Sequence, residues 1–154
     1  MYMTGIVGTI QQLETVNSGA VPEQVTGLSA TSVLANRIDL SWSAASGANT
    51  YKVERSTSPS SGFVQIINTS STSHIATVLS AGTQYYFRVR GSNAAGDGAY
   101  SSTVSQWTKP GQVTGLSATT ASSAQINLSW SNPSGTETGY QVYRATQALC
   151  LGRP

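Results

Sequence analysis

The 154-residue sequence predicts an all-β protein built as an antiparallel Greek-key β-sandwich of seven strands. Three observations lead there. The stretch Leu79 to Asn93, LSAGTQYYFRVRGSN, alternates with a period of two: Tyr85, Phe87, Val89 and Gly91 share one face, and Tyr86, Arg88, Arg90 and Ser92 share the other. Aromatic and β-branched residues on one side and charged or phenolic groups on the other mark a half-buried strand whose second face sees solvent. Clusters of Ser, Gly, Asn and Pro separate the apolar runs about every ten residues, the spacing of an all-β sandwich. Finally, the sequence repeats. VTGLSAT at 25–31 recurs at 113–119, RIDLSW at 37–42 recurs as QINLSW at 125–130, and YKVERST at 51–57 recurs as YQVYRAT at 140–146. The shift, 113 − 25 = 88 residues, is the length of one sandwich, so the chain reads as a tandem array.

Residues 1–21 read as an arm or linker. Met3, Ile6, Ile10 and Leu13 are spaced as a heptad seam, but Gly5, Gly8 and the nearby threonines weaken a helix, and so short a seam is not stable alone. A linker is the simpler reading and a short oligomerising arm the alternative. The complete unit is expected over 22–109. Its first strand is placed at 25–30 and its second at 37–42, with Ile38, Leu40 and Trp42 inward. Trp42 is the expected core anchor; its burial and that of its apolar neighbours are worth roughly 2–3 kcal/mol each. The third strand is expected at 51–55 with Tyr51 and Val53 inward, a short edge strand at 63–67, a fifth at 74–78, the sixth from Tyr85 to Ser92, and the seventh at 100–108. Residues 110–154 contain counterparts of the first three strands only, with Ile126, Leu128, Trp130, Tyr140 and Val142 as core-type residues that nothing in the sequence covers. Such an uncovered apolar face implies either a severed repeat or completion by strands of another chain.

The sixth strand and the corner before it resemble the fibronectin type III family of immunoglobulin-like sandwiches, whose pattern runs Leu-x-Pro-x-Thr-x-Tyr-x-Phe-Arg-Val. Leu79, Thr83, Tyr85, Phe87, Arg88 and Val89 match, and Ala81 stands where the family often has Pro. The resemblance implies a tyrosine corner in which the Tyr85 hydroxyl bonds back to the backbone upstream. It names a fold that serves adhesion, receptor, spacer and enzyme-accessory roles alike, and leaves the role open.

Composition narrows the classes. Charged residues make up 9% of the chain and the formal net charge is +2, too little for a nucleic-acid surface. Cys150 is the single cysteine, so no internal disulfide is expected and the fold must hold by packing. No apolar run reaches membrane-spanning length, and no secretory signal pattern is visible at the N-terminus. Abundant Ser and Thr with only two Lys fit an extracellular, cell-surface or virion protein of bacterial or phage type.

No catalytic set is expected. The six carboxylates Glu14, Glu23, Asp39, Glu54, Asp97 and Glu137 are scattered, and Asp39 and Glu54 fall on outward positions. His74 is the single histidine and reads as a surface residue, which leaves no metal constellation and no nucleophile–base pair. No cofactor is expected. The loop at 94–99 lacks the Arg of an Arg-Gly-Asp motif and reads as a compact turn. Asn68-Thr69-Ser70 and Asn127-Leu128-Ser129 match the glycosylation sequon at a frequency that chance supplies in so Ser/Thr-rich a chain. The polar group worth naming is the outer face of the third and sixth strands, where Lys52 and Glu54 should lie near Tyr86, Arg88 and Arg90. A solvated face in which Glu54 pairs with an Arg is the plain reading, and a protein or glycan contact face the sharper one. Trp42, Tyr51, Tyr85, Phe87 and Trp130 are the expected structural core. The expected function is a non-enzymatic structural and binding module of a surface, filament or virion protein, with neighbouring domains or its own copies as partners. The alternative is an accessory spacer of a secreted bacterial carbohydrate-active enzyme.

Overall fold

The computed structural model describes residues 19–132 and 137–145. The seam residues Met3, Ile6, Ile10 and Leu13, and Cys150, lie outside them. The described residues form ten strands and no helix: β1 (Ser29–Leu34), β2 (Arg37–Ser41), β3 (Thr50–Ser56), β4 (Val64–Thr69), β5 (Ser73–Ala76), β6 (Gln84–Asn93), β7 (Gly96–Asp97), β8 (Val104–Trp107), β9 (Thr114–Ser122) and β10 (Gln125–Ser131). One sheet has the order β1-β2-β5. A second has β4-β3-β6-β7, with β8 also pairing β6; β9 and β10 pair as a separate two-stranded hairpin, and all pairings are antiparallel. The chain crosses between sheets after β2, β4 and β5, which makes this an immunoglobulin-like Greek-key sandwich. The first unit has eight strands rather than the expected seven because the stretch expected as a loop at 94–99 contributes the two-residue β7, which closes a hairpin with β6.

Alternation along β2, β3 and β6 sends Ile38, Leu40, Trp42, Tyr51, Val53, Tyr85, Phe87 and Val89 into a common core with Val25, Ala76 and Leu79. Trp42 and Tyr51 meet edge to face, with ring centroids 5.7 Å apart. The corner before β6 is closed by the Tyr85 hydroxyl, which accepts the Ser80 N–H at 3.0 Å. Thr108 ties the same corner to the last strand by accepting the Thr83 N–H at 2.9 Å and donating to Ser80 O at 2.7 Å.

Several expectations need correction. The first strand is β1, not 25–30. Gly27 adopts φ 68° and breaks the ladder, although Ser43 N still donates to Thr26 O at 2.9 Å. The strand expected at 100–108 is regular only over β8. Upstream, Ser101 N donates to Val89 O at 2.7 Å, but the Val89 N–H is taken by the Ser101 hydroxyl at 3.1 Å rather than by a backbone carbonyl. That exchange frees the preceding residues to swing Tyr100 over the sheet. The fifth strand stops at Ala76 because Val78 has φ 56°; it is 90% exposed, and the chain then turns so that Leu79 N reaches Asn36 O.

A β-branched residue in the left-handed region is strained by roughly 1–3 kcal/mol. Val78→Gly should therefore stabilise the protein by about 1 kcal/mol, less than the full strain because glycine loses more backbone entropy on folding. The urea midpoint reads this; an unchanged or lower midpoint would show that the strain is relieved locally.

Residues 113–145 reproduce local details of the first unit. Gly115 has φ 64° and faces Ser131, as Gly27 faces Ser43. The hydroxyls of Ser117 and Ser129 lie 2.8 Å apart, as those of Ser29 and Ser41 lie 2.9 Å apart. Trp130 and Tyr140 meet edge to face at 5.3 Å. Two expectations fail here. Residues 140–145 form no strand, and Trp130 is half-buried rather than part of a core. Both outcomes follow from one cause. In the first unit β3 is held by β4 and β6, not by β2, so a third strand has no ladder partner until the second sheet exists.

Candidate functional site

The outer face of β3 and β6 carries the largest polar cluster. Register fixes it: Lys52 pairs with Arg90, Glu54 with Arg88, and Ser56 with Tyr86, so all five expected residues point the same way. They do not form one open patch. Four of them divide into two carboxylate-centred groups bridged by Tyr100, and Tyr86 belongs to neither.

Glu54 centres the first group. Its Oε2 accepts from Arg88 Nε at 2.8 Å and lies 2.7 Å from Nη2, while Oε1 accepts the Tyr100 hydroxyl at 2.5 Å. The Arg88 guanidinium is stacked between rings, 3.9 Å from the Tyr100 centroid and 4.2 Å from that of Phe63. This corrects the sequence reading of Glu54 as a solvated outward carboxylate. It does point away from the sandwich core, yet it is only 7% exposed, because Tyr100 and Arg88 close over it. Burial, then the hydrogen bond to Glu54, raises the Tyr100 phenol above its ordinary value of 10.0.

Asp97 centres the second group. Its carboxylate lies 2.7 Å from Lys52 Nζ and 3.0 Å from Arg90 Nη2. Arg90 also sits 4.6 Å from the Tyr100 ring centroid, which joins the two groups. Asp97 arrives here through the turn between β6 and β7, where Asn93 Oδ1 accepts the N–H groups of Ala95 and Gly96 and sets Asp97 opposite Ser92. Asn93 two residues before a Gly-containing turn was the available signal, since a tight hairpin there puts Asp97 on the outer face by parity. Tyr100 and Phe63 carried no such signal.

Tyr86 stands apart from both groups, donating to Gln84 Oε1 at 3.1 Å. On the other sheet Asp39 is chelated by Arg37, with Nε 2.6 Å from Oδ1 and Nη2 2.8 Å from Oδ2. His74 lies opposite Leu40, half-buried, and burial lowers its pKa. Among the described residues no group of three or more His, Cys, Asp or Glu could hold a metal ion. Chemically, the cluster is a salt-bridged clamp with a net charge of +1 (three cations, two carboxylates). Its three cations share two carboxylates and lock β3, β6, β7 and the segment around Tyr100 together, while Arg90 Nε is buried without a hydrogen-bond partner.

The Lys52 hydrogen bond, then that from Ser92, holds the Asp97 carboxyl below its ordinary value of 3.8. A depressed carboxylate pKa contributes stability that is present above the unfolded value and lost as pH falls through the folded one. Asp97→Asn should therefore flatten the acid side of the stability profile from about pH 5 down through the carboxyl's ordinary value and below it. With the side chains partly exposed, the pairs are worth only about 0.2–1 kcal/mol at neutral pH. Urea midpoints across that range check this; parallel wild-type and variant profiles would contradict it.

The model for the fibronectin type III domain matches residues 23–107. A fibronectin type III-like protein from Clostridium thermocellum is 32% identical over 62% of this chain and 99% of its own, with a TM-score of 0.51. The structure called FN3tt is 27% identical over 59% of this chain and 98% of its own, with a TM-score of 0.55. The sixth fibronectin type III domain of human fibronectin type III domain containing protein 3 shares the fold at 22% identity, over 61% of this chain and 92% of its own, with a TM-score of 0.54. No curated protein sequence matches the chain.

Proposed function

This chain belongs to the fibronectin type III family, and we propose that it is a non-enzymatic spacer and protein-contact module of a surface, filament or virion protein, with residues 113–145 opening a second copy of the unit. The observation that carries the reading is where the chain enters and leaves the sandwich. It enters at the pole formed by the turns after β2 and β6: Glu23 N donates to Ser46 O at 3.0 Å, and Asn93 Nδ2 bonds both Ala20 O and Gly47 O. Pro22 lies so close to Gly98 that an added Cβ there would meet its carbonyl oxygen at 2.3 Å. It leaves at the other end of β6, where Lys109 N donates to Leu34 O at 3.3 Å and Gly82 N donates to Lys109 O at 3.1 Å.

With the chain fixed at opposite poles, each unit adds the length of β6, whose 10 residues span about 33 Å. The clamp around Glu54 and Asp97 stiffens the sheet that sets this length. Weak net charge and few Lys suit display beside neighbouring domains or further copies, with glycans as a lesser candidate partner.

Small-angle scattering on the full chain and on a chain with residues 22–109 duplicated in tandem tests this. The maximum dimension should grow by about 33 Å. A duplicated chain that becomes thicker without becoming longer would overturn the spacer reading.

A further inference from the structure

We propose that the exit pole of the sandwich, where Leu34 and Val78 stand exposed around Lys109, is a docking surface for the entry pole of the unit that follows it in the chain, so that successive units meet pole to pole with no free linker. The inference rests on the reading of residues 113–145 as the opening of a second unit and goes beyond it by fixing how one unit meets the next.

Thr108 and Lys109 belong to both units. The shift of 113 − 25 = 88 residues makes Thr108, Lys109 and Pro110 the counterparts of Ala20, Val21 and Pro22. In the first unit those three already lie on the entry pole. Ala20 O accepts from Asn93 Nδ2 at 2.9 Å, Val21 Cγ1 lies 3.4 Å from where a Cβ on Gly96 would sit, and Pro22 is buried against Gly98. Thr108 and Lys109 are at the same time held by the exit pole. Thr108 is 3% exposed and donates to Ser80 O at 2.7 Å, while Lys109 is tied through its N–H to Leu34 O and through its C=O to Gly82 N. Pro110 follows directly. Adjacent Cα atoms are about 3.8 Å apart, so at this point the two poles come within contact distance.

Val78 is an independent observation that points the same way. It is β-branched, sits at φ 56° and is 90% exposed, so in an isolated unit its side chain carries strain and buries almost nothing. It precedes Leu79, whose N–H reaches Asn36 O, and Leu34, 51% exposed, supplies the carbonyl that Lys109 bonds. Both residues therefore stand beside the outgoing chain. An apolar contact there offsets strain that exposure to water does not. The entry pole is suited to receive them. Its exposed residues Ser46, Gly47 and Ala94 are small and uncharged, so a close approach buries no unpaired charge there. In the second unit the counterpart of the turn that carries Ser46 and Gly47 falls at 131–137, of which 133–136 lie outside the described residues.

The test is the dipolar distance between spin labels at Gln65→Cys in each of the two copies, in the full chain with residues 22–109 duplicated in tandem and Cys150→Ser. That duplication rebuilds the Lys-Pro junction and gives the second copy a complete entry pole. Units joined without contact reorient freely, so the width of the distribution reports the junction. One narrow distribution is expected. Inserting Gly-Ser-Gly-Ser after the first Lys109 gives the width of a free junction, and Val78→Asp in the first copy should at least double the parent width. Asp tolerates a positive φ better than Val, so the urea midpoint should not fall, which shows that the unit stays folded. A parent distribution as broad as that of the inserted chain would overturn the proposal. A width that Val78→Asp leaves unchanged would overturn it equally, because the short tether alone would then fix the junction. Neither result touches the scattering increment, so failure here is distinguishable from failure of the spacer reading.

Discussion

Replacing Phe87 by Ala is expected to destabilise the first unit by about 3–5 kcal/mol. Phe87 is fully buried at the centre of β6, tilted against Tyr85 with ring centroids 6.5 Å apart, and belongs to the strand that both β3 and β8 pair with. Truncation removes its transfer energy and leaves a cavity that two hydrogen-bonded neighbours prevent from collapsing. A domain of this size has only about 5–15 kcal/mol in total, so a large part of its stability would go. The urea midpoint of the 22–109 transition should fall accordingly, and Phe87→Leu should cost much less, since it nearly conserves volume. A loss below about 1 kcal/mol for Phe87→Ala would mean that the sheets close over the gap and the core is less rigid than its packing indicates.

Glu54→Ala is the second large effect, expected at about 2–3 kcal/mol. The substitution removes three hydrogen-bonding contacts at once: those to Arg88 Nε and Nη2 and that from the Tyr100 hydroxyl. It also leaves the Arg88 guanidinium facing two aromatic rings with no counter-charge. The full penalty of a buried orphan charge does not apply, because the Arg88 side chain is 29% exposed and water can reach it. A double-mutant cycle with Arg88→Met isolates the pair. Strong coupling, with Arg88→Met alone costing at least as much as Glu54→Ala because it orphans the more deeply buried carboxylate, is the expected result. Additive effects would show that Tyr100, not Arg88, accounts for the role of Glu54.

Period-two alternation made the sheet that matters most legible. It put Tyr85, Phe87 and Val89 on one side of β6 and the arginines on the other, and neighbouring strands then brought Lys52 and Glu54 beside them. Alternation tells which face a residue is on. It does not tell what lies over that face. Glu54 is buried because a Ser101 hydroxyl displaces one ladder bond and lets Tyr100 lean across, an event set by one side chain and invisible to periodicity. The first strand starts later than alternation predicts for a similarly local reason, the positive φ at Gly27. Trp130 shows the complementary limit. Its sequence context matches that of Trp42 closely, yet one is core and the other half-exposed, because burial depends on a second sheet that local sequence does not supply.

A spacer must be a rigid unit held at opposite poles by its incoming and outgoing chain. The direct measurement is the dipolar distance between spin labels at Glu23→Cys and Pro110→Cys in a Cys150→Ser background of the full chain. One narrow distribution centred near 33 Å, lengthened slightly by the label linkers and unchanged by salt, is the predicted result. A distance well under that length, or a broad distribution that shifts with salt, would mean that the two ends are not held at opposite poles, and the spacer account would fail.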